Sequence, residues 1–137
     1  MKYTWRIAAK DEFPEIYELL CDTPLWREWG VEGIVRRIKD PLRIGHLIVF
    51  HDRDKKLSGF LTLAHMSEAS EKHQPTIGIL PGDWQSGDNL WVVDLVAPKG
   101  GCFHMLRVIT RAMNKEVSKT ARFFRKKYTE IRKVRCA

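Results

Sequence analysis

Residues 90–98, LWVVDLVAP, constrain the fold more than any other stretch. The run is almost wholly apolar, far short of the ~20 residues needed to span a bilayer, and rich in β-branched side chains. Such a run suits a central strand covered on both faces. Pro98-Lys99-Gly100-Gly101 ends it, and an amphipathic helix is expected from about Phe103, with Leu106 and Ile109 inward. One residue breaks the pattern. Asp94 puts a carboxylate where the strand should be buried.

The remaining elements must supply partners for this strand. YTWRIAA alternates, with Tyr3, Trp5 and Ile7 on one face, and reads as a strand. KDEFPEIYELLCD follows as a helix, with Asp11 as a possible N-cap, Pro14 in the first turn and Ile16 and Leu20 inward. Asp22-Thr23-Pro24 breaks it, and Thr23 then caps a second helix with Pro24 at its first position. That helix carries Ile34, Val35 and Ile38 on one face and should stop at Asp40-Pro41. HLIVFH and LSGFLTLAH read as a hairpin joined by the polar residues 52–56. Residues 67–75 read as a polar loop with a helical turn, TIGIL as a short strand, and PGDWQSGDN as a turn-rich link. The order predicts a single α+β layered domain over residues 1–137, with a mixed sheet flanked by helices.

Charge is distributed unevenly. Residues 1–98 carry 12 Lys/Arg and 15 Asp/Glu, whereas residues 99–137 carry 12 Lys/Arg and two glutamates, and the whole chain is +7. A basic C-terminal segment suits an acidic partner, whether nucleic acid, anionic lipid or an acidic protein; a solvated helix face carries the same pattern. Cys21, Cys102 and Cys136 are far apart and odd in number, so free thiols are expected rather than a disulfide framework. No metal-ligand spacing is visible among the histidines and cysteines. The N-terminus lacks an apolar signal segment, which makes the cytoplasm the default location.

Few residues offer chemistry. A carboxylate at Asp94 needs a partner, or its pKa rises. It could orient a base or a substrate amine, or simply bond backbone amides near the strand's end. Gly100 and Gly101 open a helix whose N-terminus could hold an anion, although strand–glycine–helix is also an ordinary connection. His65 ends the hairpin and His104 begins the last helix. Either could face a cleft, and either could be a surface group. No nucleophile elbow, Walker loop or zinc-protease motif is present.

Two segments together resemble the RTX toxin-activating lysine acyltransferases, a branch of the GNAT-like acyltransferase fold. DWQSGDNLWVVDLVAP is similar to that family's D-W-x-S-G-D-x-x-W-x-x-D-x-x-A-P, through Asp83, Trp84, Ser86, Gly87, Asp88, Trp91, Asp94, Ala97 and Pro98. TPLWREW resembles its S-P-x-H-R-x-W, through Pro24, Arg27 and Trp29. The resemblance implies a GNAT-like mixed β-sheet flanked by helices that brings an acyl thioester, from acyl carrier protein or acyl-CoA, to a lysine amine. It implies an aspartate at Asp94 paired with a histidine, and a dimer. The histidine's position holds Trp26, whose indole N–H only donates and cannot accept a proton. Either His65 or His104 is then the alternative base, or the amine is deprotonated through water, or the fold is no longer an enzyme. Trp26, Arg27, Trp91, Gly100 and Gly101 are the expected substrate-binding residues.

Three functions follow as expectations. The first is N-acyl transfer with Asp94 in the site and the basic segment docking an acidic donor. The second is a non-catalytic scaffold with Trp26 and Trp29 as interface anchors. Short chains of this type resemble phage-encoded GNAT-like proteins, which would place such a scaffold in the host cytoplasm or the virion. The third is non-specific nucleic-acid binding.

Overall fold

A computed structural model describes residues 3–116. Its centre is a four-stranded sheet in the order β1-β2-β3-β4, made of β1 (Thr4–Ile7), β2 (Leu47–His51), β3 (Leu57–Met66) and β4 (Asn89–Val96). All three pairings are antiparallel, so the expected mixed sheet is corrected. Each strand lies beside its sequence neighbour, and a parallel pair would need a crossover between strands. The apolar run of β4 therefore lies at one end of the described sheet, and β3 takes the interior.

Helices cover both faces, as the α+β reading expected. On one face α5 (Cys102–Glu116) packs Met105, Leu106 and Ile109 against Ile48, Phe50, Leu61, Leu63, Val92 and Leu95. Tyr3 and Trp5 close this core from β1, while Ile7 is exposed. On the other face α1 (Phe13–Cys21) and α2 (Leu25–Ile34) bring Ile16, Leu19, Leu20 and Leu25 onto Val49, Phe60 and Val96. Full burial of side chains such as Ile16 and Phe60 stabilises by about 1.5–3 kcal/mol each.

The second helix does not stop at Asp40-Pro41. It runs through a π-helical turn, Val35–Lys39, into α3 (Asp40–Arg43). A proline inside a regular helix clashes with the carbonyl four residues back, and the widened turn just before Pro41 relieves that conflict. Gly30, at φ 66° and ψ −175°, kinks α2 midway. The N-cap is Pro24 rather than Thr23, one residue later than expected, although the Thr23 hydroxyl still donates to the Leu20 carbonyl at 2.8 Å and accepts from the Leu25 N–H at 3.1 Å.

The hairpin is as read, with Asp52 Oδ1 accepting from the N–H groups of Asp54 and Lys56 at 2.8 and 3.0 Å. Two local readings are corrected. The polar loop is α4 (Glu68–Ile77), capped by the Ser67 hydroxyl, and TIGIL forms no strand because α4 runs into it and ends at Gly78 (φ 87°). Ile79 is instead buried with Ala64, Met66, Trp84 and Val93 at the end of the sheet. Cys21 is a free, exposed thiol, whereas Cys102 is disulfide-bonded, which corrects the expectation of free thiols throughout. The basic segment beyond residue 116, with Cys136, lies outside the described residues. No helix among those described is long and apolar enough to cross a membrane.

Candidate active site

The register of β3 and β4 slips between Thr62 and Leu63. Thr62 pairs with Asp94 and Leu63 with Val92, leaving Val93 as the extra residue of a bulge. Bulges re-aim side chains, and this one sets Asp94 on the face covered by α1, α2 and the π turn. The backbone N–H of Asp94 donates to the buried Thr62 hydroxyl at 3.2 Å.

Among the described residues the carboxylate meets a single cation. Nη1 of Arg37 lies 3.0 Å from Oδ1 and 2.9 Å from Oδ2, so one nitrogen spans both oxygens. The Asp94 side chain is 13% exposed and that of Arg37 is 26% exposed. Arg37 comes from the π turn, and its guanidinium carbon sits 5.3 Å from the centre of the Trp29 ring. Burial raises the Asp94 pKa, while the charge and hydrogen bonds of Arg37 oppose the rise. Trp29 and Arg37 line an open cleft of about 310 Å³, with Glu28, Glu32, Gly33 and Ile79 around it.

The other expected residues are scattered. Trp26 is half-buried against the α1–α2 core, and the exposed Arg27 stacks on it at 5.2 Å. Trp91 is tied to α4 through its indole N–H, which donates to Glu71 Oε2 at 2.6 Å. Gly100 and Gly101, at φ 94° and 88°, open α5. A Cβ at Gly101 would press into the Tyr3 ring. These glycines serve the core on the opposite face from Asp94. His65 is exposed, and strand alternation from Thr62 puts it on that opposite face too; its ring meets His46 edge-on at 5.6 Å. His104 lies 5.8 Å from the ring of Tyr3. The structure thus joins Asp94 to Arg37 and Trp29, not to His65.

The first half of the DWQSGD segment builds a clamp. The buried Asp83 carboxylate accepts from the Leu80 N–H at 2.8 Å and the Ser70 hydroxyl at 2.7 Å, and lies 2.8 Å from His73 Nε2. Burial pushes its pKa up, but the bonds from Leu80, His73 and Ser70 outweigh burial and hold it below the usual value. Ser86 Oγ accepts from the Ser67 N–H at 2.9 Å, and Gly87 passes so close to Ser67 that a Cβ would lie 2.6 Å from its backbone. Among the described residues no group of three or more His, Cys, Asp or Glu could hold a metal ion.

The chain is 29% identical over 119 residues to the leukotoxin-activating lysine-acyltransferase LktC of a Pasteurella haemolytica-like species, covering 85% of this chain and 67% of that relative. The profile of one family matches residues 7–136, nearly the whole sequence, and the chain belongs to that family, the RTX toxin acyltransferases (HlyC).

Proposed function

We propose that this protein is a thioester-dependent N-acyltransferase that moves an acyl group from acyl carrier protein, or from acyl-CoA, to a lysine amine of a protein. The observation that carries the reading is Asp94, a largely buried carboxylate whose partner Arg37 lines an open cleft. In the reaction the neutral amine nitrogen attacks the thioester carbonyl carbon. The C–N bond forms, the C–S bond breaks, and sulfur leaves as a thiolate. The amine gives up one proton on the way to the amide, and the thiolate takes one up.

Asp94 suits the first of those transfers. Burial makes it a stronger base than a surface aspartate, and Arg37 limits that gain. The basic composition of residues 99–137 supports an acidic donor such as acyl carrier protein.

Trp26 favours a second reading, a non-catalytic binding protein on the same fold. An indole accepts no proton, and the half-buried ring capped by Arg27 resembles an interface anchor. One experiment separates the two. The full-length chain, Asp94→Asn and Trp26→His are each mixed with acyl carrier protein charged with fatty acyl chains and a lysine-containing acceptor, and acylation is read by mass spectrometry. Acylation by the wild type that Asp94→Asn abolishes supports the first reading. A silent wild type whose Trp26→His variant acylates supports the second. Undiminished acylation by Asp94→Asn removes Asp94 from the mechanism.

A further inference from the structure

Two backbone irregularities converge on one ion pair. The β4 bulge delivers Asp94, and the π turn delivers Arg37. Each departs from regular hydrogen bonding, and distortions of both kinds recur beside functional sites. We propose that Arg37 is the positioning residue of the acyl-transfer site, fixing the carboxylate of Asp94 with one nitrogen across both oxygens while Trp29 fixes the guanidinium. The inference rests on the acyl-transfer reading and deepens it. Guanidinium cannot surrender its proton at any working pH, so the pair is no proton relay. The proton of the amine must end on Asp94 itself, on a lone pair that Arg37 leaves open.

The groups facing Asp94 are few. The π turn presents Arg37, β3 presents the Thr62 hydroxyl, and among the described residues Arg37 is the charged group acting on the carboxylate. Because a single nitrogen makes the contact, an ammonium can reproduce much of it. Arg37→Lys is therefore expected to keep activity within about tenfold, whereas Arg37→Gln loses about 100-fold in kcat, the cost of a loosely aimed catalytic group, with KM little changed.

The deciding readout is pH. Without the cation the carboxylate holds its proton to higher pH, so the acidic limb of the rate profile moves up in Arg37→Gln. The Asp94 carboxyl ¹³C signal, assigned by its loss in Asp94→Asn, titrates at correspondingly higher pH. An acidic limb and a carboxyl titration that both stay in place in Arg37→Gln would overturn the proposal and leave Arg37 a packing residue. If the wild type shows no acyl transfer, that reading fails on its own, and the carboxyl titration still decides whether Arg37 governs Asp94.

Discussion

Replacing Asp83 by alanine should unfold this protein more readily than replacing Asp94 by asparagine, although Asp94 is the residue of the candidate site. Three groups depend on Asp83: the Leu80 N–H, the Ser70 hydroxyl and His73. A hydrogen bond to a charged group contributes about 1.5–3 kcal/mol, but the three losses do not simply add. Ser70 still has the Ser86 hydroxyl at 2.8 Å, and His73, at 29% side-chain exposure, can turn to water. The Leu80 N–H loses the partner that Asp83 gave it. The net cost is then about 2–4 kcal/mol, which lowers the urea midpoint by ~1–2 M at an m-value near 2 kcal/mol/M. The pH dependence gives the sign. The carboxyl is held below its ordinary 3.8, so as pH falls the unfolded chain takes up the proton first. The stabilisation is fully present above that ordinary value and is lost as pH falls through the folded one. In urea titrations the gap between the wild type and Asp83→Ala should narrow once the pH falls below the ordinary 3.8. A gap under about 0.5 kcal/mol at neutral pH, or one that does not narrow on acidification, would refute the clamp.

Asp94→Asn should cost less stability than Asp83→Ala, because a neutral amide is cheaper to bury than a carboxylate and Arg37, at 26% side-chain exposure, can turn to water. Asp94's contribution to wild-type stability is present below the ordinary 3.8 and declines as pH rises through the raised folded value, so the asparagine variant should gain on the wild type toward higher pH in thermal melts. Gly87→Ala should cost about 1–3 kcal/mol in chemical unfolding, since its Cβ meets Ser67 backbone rather than a yielding side chain. Trp91→Phe removes the bond to Glu71 and should cost about 1–2 kcal/mol while leaving far-UV circular dichroism unchanged.

Alternation and turn chemistry were enough to read the first strand and the hairpin, because Tyr3 and Trp5 share one face, two largely apolar runs flank a polar turn, and Asp52 closes that turn. The start of the second helix was legible to within a residue, where the Thr23 hydroxyl accepts from the Leu25 N–H. Readings failed where long-range packing overrode local punctuation. Pro41 looked like a stop because a π turn leaves no mark in the sequence. The polar residues 68–77 carry little apolar period, yet they form a helix held by Ser67 and by the bonds of Ser70 and His73 to Asp83. Asp94 announced itself by interrupting an apolar strand. Its partner did not, since any of the 12 Lys/Arg in residues 1–98 could have served, and only the bulge and the π turn select Arg37. His65 showed the converse, because a register slip beside Thr62 cannot be read before the strands are paired.

Two aspartates eleven positions apart in one motif thus receive opposite environments. Asp83 is ringed by donors, so its charged form is the favoured one, and it spends that preference holding α4 to the turn before β4. Among the described residues Asp94 has Arg37 as its cation, and burial outweighs it, so its charged form is the disfavoured one. A carboxylate in the first situation is a poor base, because protonation costs it several bonds at once. One in the second situation accepts a proton at the cost of a single contact. The divergence of paired carboxyl environments is a general guide to which group handles protons. On that ground Asp94 is the proposed reactive member, and the DWQSGD segment clamped by Asp83 is the frame before its strand. Restoring a histidine at position 26 therefore tests something narrower than family membership: whether an Arg37-held Asp94 is sufficient without a second base.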